Sequence, residues 1–244
     1  MKSFGFQEPV IVPEDYSFGS IGGDVLQESG SWMDYLPEFE HQRKSTDTQG
    51  CVSFGTLSAL EMLHKRLYGV EPNYSDRFTV KLSGTTRTGN NPKSVIQSIR
   101  HDGTVKEEVW PFSKEMSWND YFAFIPSKLI KLGAKWLSEY KVGYEYVNGN
   151  EKELKKALKY SPIGVSVYAW NKNSDGVYEE GFPNHWCVLV RYNFENQPVI
   201  WDSYEEQLKV LVKGYRFKYC MRYTIEKRSE RRNWFIDLFI RLFT

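Results

Sequence analysis

The chain has 244 residues, a formal net charge of +1, 41% hydrophobic and 16% aromatic residues, and three cysteines. That length and apolar content suit one large domain with a substantial core. The balanced charge argues against a nucleic-acid partner, which selects a basic surface, and three cysteines are too few and odd in number for a disulfide framework.

Residues 1–50 are rich in Gly, Pro, Ser and acids with little periodicity, so loops and extended segments are expected there. The start, MKSFGFQEPVIVPEDYSF, carries early acidic residues and no apolar segment of signal-peptide length. No run approaches the ~18 consecutive apolar residues of a spanning helix. A cytoplasmic protein with reduced thiols is expected.

Cys51 to Tyr68 reads as a helix, with Phe54, Leu57, Leu60, Met62, Leu63 and Leu67 making a broad apolar surface and Gly69 as its stop. After the loop GTTRTGNN, Pro92 marks a helix start; Val95, Ile96 and Ile99 share one side of Lys93–His101, and Gly103 ends it. EEVWPF reads as a turn, and Trp118 to Trp136 as a helical region interrupted by Pro126. Then the pattern changes. KVGYEYVNG alternates like a strand and NEKELKKALKY like an amphipathic helix. SPIGVSVYAW, HWCVLVRYNF, PVIWDSY, QLKVLVKGY and KYCMRYTI are β-rich runs between turns. A mostly helical first half before a mostly antiparallel second half is an α+β arrangement.

The chemistry-bearing residues fall at the borders of these elements. Cys51 opens a helix, where the macrodipole favours a thiolate over the ordinary thiol; the bland alternative is a small buried filler. Of the four histidines, His185 opens the apolar strand WCVLV after the turn GFPN. Asp202 ends the strand PVIWD, and the turn NFENQ between the two strands would bring its carboxylate beside His185. A carboxylate there holds an imidazole in one tautomer, with the other ring nitrogen turned to the thiol. Cys187 and Cys220 read as buried apolar thiols. Without paired spacing such as CxxC, no metal is expected, and no cofactor.

From Trp32 to Ile225 the sequence resembles the papain-like cysteine peptidases. GCVSFGTLSALE resembles the nucleophile segment, and GNNPKSVIQSIRHDGTVKEEVWPF the cleft loop, helix and following turn. ELKKALKYSPIGVSVYAW and NHWCVLVRYN resemble the approach to the histidine and its strand. IWDSY resembles the Asn-Ser-Trp segment, and VKGYRFKYCMRYTI the closing strand. The roughly 130 residues between Cys51 and His185 suit that family. The resemblance implies a two-lobe fold, helical over about 40–138 and β-barrel-like over about 139–225, with Cys51 and His185 facing across a cleft. It implies a Cys51–His185–Asp202 triad hydrolysing peptide bonds of a peptide or protein substrate. It also implies substrate contacts from Gly89, Asn90 and Asn184.

The sequence departs from the family pattern in several places. Asp202 stands where Asn is usual, Tyr204 where Trp shields that residue, and Val52 where an aromatic follows the nucleophile. The oxyanion glutamine is Gln42 or Gln49; Gln42 is preferred, since Gln49 is too near Cys51 to reach back. The 50 residues before Cys51 leave no room for a typical inhibitory propeptide, so activity must be restrained by specificity, a partner or compartment. This short form resembles papain-like proteins of phages and bacteria, where a virion location would apply. An inactive papain-like scaffold that binds rather than cleaves, and a non-protein amide hydrolase or acyl transferase, are the alternatives.

The tail, 226–244, carries Trp234, Phe235, Leu238, Phe239, Leu242 and Phe243 at helical spacing behind Arg228, Arg231 and Arg232. It is too short to span a bilayer. It packs on its own domain, docks onto a protein partner or lies on a membrane surface.

Overall fold

The computed structural model describes residues 4–228; the amphipathic stretch beyond Arg228 lies outside them. Six α-helices and six strands follow in the order α1 Cys51–Tyr68, α2 Asp76–Leu82, α3 Pro92–Asp102, α4 Trp118–Tyr121, α5 Ser127–Glu139, β1 Tyr140–Tyr146, α6 Glu151–Leu158, β2 Ile163–Val167, β3 His185–Tyr192, β4 Pro198–Trp201, β5 Lys209–Val210 and β6 Cys220–Lys227. Two 3₁₀ turns, Met33–Tyr35 and Glu107–Val109, complete the set. No described helix is long and apolar enough to cross a membrane.

Local chemistry sets the helix ends. Asn91, Ser117 and Asn150 each cap a helix by accepting a backbone N–H three residues on, and Pro92 sits at the first helical position. Gly69 closes α1 in the left-handed conformation, φ 74°. From Cys51 to His64 every α1 residue except Ser58 is buried, which is the signature of a central helix rather than a surface one. It packs on β3, β6 and β2 and also on α2 and α3.

The sheet is antiparallel throughout, in the order β1-β6-β2-β3-β4-β5. The last strand in sequence thus inserts between β1 and β2 instead of lying at an edge. A buried cross-strand ion pair, Arg222 Nη1 to Glu145 Oε2 at 2.7 Å, joins β6 to β1. Glu145 also accepts the Gly19 and Ile21 N–H groups, which ties the N-terminal loop to the sheet. Trp32 donates its indole N–H to Leu158 O at 2.7 Å and is fully buried.

Two elements differ from the sequence expectation. α2 lies in a stretch, between Gly69 and the loop GTTRTGNN, for which no element was expected. QLKVLVKGY forms strand only at Lys209–Val210.

Candidate active site

Cys51 is the first residue of α1. The helix approaches β3 closely because position 55 is glycine: a Cβ there would lie 3.0 Å from Trp186 Cδ1. That approach sets the thiol against the start of β3, where the Trp186 backbone N–H favours its anion.

His185 is the first residue of β3. β3 and β4 are antiparallel neighbours with Val188 opposite Trp201, so the residue after β4 falls beside the start of β3. His185 Nε2 and Asp202 Oδ1 are 2.6 Å apart, both side chains wholly buried. The other ring nitrogen, Nδ1, is buried and makes no hydrogen bond. Trp170 meets the imidazole edge-on at 5.7 Å between centroids, and Tyr204 lies tilted at 5.2 Å. Of the remaining histidines, His64 is held between Val70 O and the Tyr140 hydroxyl, and His101 is exposed beside Asp102.

Asp202 has a second partner that sequence reasoning missed. Lys209 Nζ lies 2.8 Å from Asp202 Oδ2 and 2.9 Å from Glu205 Oε2. Burial alone would raise the Asp202 carboxyl; the charge and hydrogen bond of His185 and the charge of Lys209 outweigh it and hold the group well below the carboxylate range. The sequence did carry a signal. Lys209 and Leu211 share strand parity, Leu211 is buried, and a lysine on an apolar face needs a counter-charge.

Gln42 is fully buried. Its Nε2 donates to the Tyr204 hydroxyl at 2.8 Å, and its Oε1 accepts from the Ser203 hydroxyl at 2.6 Å. The amide is therefore held on the loop following Asp202, with its second Nε2 hydrogen left for another acceptor. Tyr204 in turn donates to Asp47, at 3.0 Å from each carboxylate oxygen. Gln49 adopts φ 54° with its side-chain oxygen buried and unbonded.

The cleft is occupied by the chain's own N-terminal segment. Phe4 N–H donates to Asn184 O at 3.2 Å, Asn90 N–H to Gly5 O at 2.9 Å, and Gln7 N–H to Asn90 O at 2.8 Å. The Gln7 amide reaches Thr88, and Glu8 bonds Lys218 and Tyr219. The Phe4 ring lies 5.8 Å from that of His185 and 5.6 Å from that of Tyr204, and Phe6 stacks on Trp186. Gly5 and Gly89 make the close passage: a Cβ on Gly89 would meet Gly5 O at 1.9 Å, and one on Gly5 would meet Gln49 O at 2.3 Å. Gly89, Asn90 and Asn184 are thus brought together, and they bind an extended strand of this chain.

Under this cover Cys51 and His185 are both 0% exposed. Burial pushes the Cys51 thiol up; the Trp186 and Val52 N–H groups oppose that shift, while Asp202 and Asp47 add to it. The sequence expectation of a thiol lowered by the helix end is reversed here, because exclusion of water penalises the anion more than the helix end favours it.

Cys187 is buried two residues along β3, with Sγ 3.6 Å from Asp202 Oδ1. Burial pushes its thiol up as well. His185, Cys187 and Asp202 could offer three ligand atoms to a metal, all within 4.8 Å of one another. Asp202 is already paired with His185 and with the Lys209 ammonium, which supplies a positive charge beside it.

Solved structures share this architecture. Digestive procathepsin L 3 from the larval midgut of Tenebrio molitor is 16% identical, with a TM-score of 0.62 over 86% of this chain and 73% of its own. The bromelain protease of Ananas comosus, solved with the E64 inhibitor, is 15% identical, with a TM-score of 0.58 over 80% of this chain and 98% of its own. The fold is papain-like. The proform of Amb a 11, a ragweed pollen cysteine protease, matches at 16% identity and a TM-score of 0.56 over 79% of this chain, which spans 65% of it. No family model matches the sequence, nor does any curated protein sequence. In this papain-like frame, Cys51 opens the central helix and His185 opens the strand packed on it.

Proposed function

We propose that the chain is a cysteine peptidase acting through Cys51, His185 and Asp202. The observation that carries this reading is the buried His185, held through Nε2 by Asp202 with Nδ1 unbonded, on the strand that packs against the Cys51 end of α1 in a papain-like fold. Cys51 passes its thiol proton to His185 Nδ1, and the thiolate attacks the scissile carbonyl carbon while the C–N bond still holds. The oxyanion takes hydrogen bonds from the Cys51 backbone N–H and the Gln42 amide. Collapse of this intermediate expels the amine, which takes its proton from His185 Nδ1, and leaves a thioester. Water, deprotonated by His185, then hydrolyses the thioester and returns the thiol. Gly89, Asn90 and Asn184 hold the substrate backbone as they now hold residues 4–7, so that segment must leave before a substrate enters.

A second reading, a closed scaffold without turnover, is favoured by the full burial of the thiol and by Phe4 lying against His185. One experiment separates the two: incubation with an epoxide inactivator of papain-like enzymes, with the adduct mapped by mass spectrometry. The peptidase reading expects one adduct, on Cys51, lost in His185→Ala. It also expects Gly5→Val, whose side chain clashes with the Gln49 carbonyl, to raise the labelling rate about tenfold or more by opening the cleft. Labelling at Cys51 that ignores His185 even in Gly5→Val would establish the inert scaffold.

A further inference from the structure

Lys209 is a buried charged side chain behind the site that the mechanism above does not use. It lies on β5 opposite Ile200 of β4. Its side chain is 2% exposed, and its ammonium sits 5.1 Å above the Trp170 ring, which itself meets His185 edge-on. An apolar residue would pack there at less cost, since a buried ammonium loses its hydration. Its neighbour along the same face, Leu211, is fully buried. What distinguishes the position is Asp202: one carboxylate oxygen faces His185 and the other faces Lys209.

Orienting an imidazole needs only a hydrogen-bond acceptor at Nε2, which a neutral amide oxygen supplies. A carboxylate does the same but brings a negative charge beside a nucleophile that must itself become an anion. We propose that Lys209 is a positioning residue that lets an aspartate serve as the orienting group: its buried ammonium offsets the Asp202 charge, so the carboxylate holds His185 while opposing a thiolate at Cys51 less than it would alone. This rests on the peptidase reading and deepens it. Asp47, bonded to the Tyr204 hydroxyl, also raises the Cys51 thiol, and it does so alike in every variant below. Cys187 is kept neutral by burial, as is His41 on the far side of Tyr204. Glu205 reaches Lys209 from an exposed position.

The test is the pH dependence of Cys51 alkylation by iodoacetamide in the full chain, read site by site by mass spectrometry. The proteins are wild type, Lys209→Met, Asp202→Asn, the double variant and His185→Ala. The N-terminal segment covers the site in every variant, so differences in the midpoint report charge. Losing the ammonium alone moves the first rise in rate upward by about one pH unit, the scale of a unit charge near a buried group; losing the carboxylate alone moves it down by a similar amount. The double variant returns to within about half a unit of wild type, since the two charges leave together. A side chain that merely filled space would not produce opposite shifts that cancel. Should Lys209→Met fail to fold, the downward shift in Asp202→Asn and its reversal in the double variant carry the same information. An unmoved midpoint in Asp202→Asn and the double variant, with a wild-type rise that depends on His185, overturns the role of Lys209 and leaves the peptidase reading standing. A wild-type rise at ordinary thiol pH that is indifferent to His185→Ala ends both.

Discussion

The molecule buries two groups of acidic side chains and treats them in opposite ways. At the cleft, Asp202 lies between an imidazole and an ammonium, and its carboxyl is held low. In the helical half, Glu61 and Asp76 are buried near Glu40 and Glu107 with no cation of comparable intimacy. Burial raises both Glu61 and Asp76, and Glu40 raises them further. Glu107 is pushed up to about 7 by burial and by Glu40, with Lys44 only 4.0 Å away to oppose it. Burial is common to both groups, so the cation decides the sign. A carboxyl kept neutral is a structural hydrogen-bonding group; Glu61, for example, accepts the Tyr74 N–H at 2.6 Å. A carboxyl kept charged can orient an imidazole.

The largest effect that breaks this contrast is Asp202→Ala. It leaves Lys209 buried with only the exposed Glu205, and should lower unfolding stability by about 3 kcal/mol in chemical denaturation. Glu61→Gln, at a site already neutral, should change stability by less than about 1 kcal/mol at pH 6 in the same assay. Equal losses from the two changes would remove the distinction.

The pH dependence sharpens it. Glu107 has a folded value of about 7 against an ordinary 4.5. Between these values the folded chain keeps a proton that the unfolded chain releases, so this group's contribution falls as pH rises, by roughly 3 kcal/mol across the window. Asp202 has the opposite sign. Its contribution is present above the ordinary carboxylate range and is lost as pH falls through that range and below. Denaturant midpoints from pH 4.5 to 8 should flatten in Glu107→Gln, and a slope identical to wild type would discount the group. The smallest effect is expected from Tyr204→Phe, which removes the hydroxyl joining Gln42 to Asp47. It should cost about 1 kcal/mol and slow any Cys51-dependent hydrolysis without altering the position of His185 in a structure of the variant.

Much of the architecture was legible in the sequence because it rests on short-range rules. The α1 boundaries follow from apolar spacing and a terminal glycine, and the α3 start from Asn91-Pro92. α2 was missed because its short sequence, DRFTVKL, carries charges that solvent would ordinarily claim. Arg77 is buried because its guanidinium donates to the Asp120 and Tyr121 carbonyls at the end of α4 and to the Pro111 carbonyl in the loop before it, all distant in sequence. β5 came out shorter than its alternation implied, since a strand extends only as far as its neighbour pairs with it.

The sequence by itself determined which residues could do chemistry here: a thiol opening a helix, a histidine opening a strand, an aspartate ending the next, and glycines where backbones must pass closely. These are properties of residue type and local spacing. Only the tertiary structure decided their state. It laid residues 4–8 across the cleft, raised the Cys51 thiol by excluding water, and set Lys209 behind Asp202. Each outcome depends on groups far apart in the chain meeting in a buried space, where a single charge or its absence outweighs every local preference.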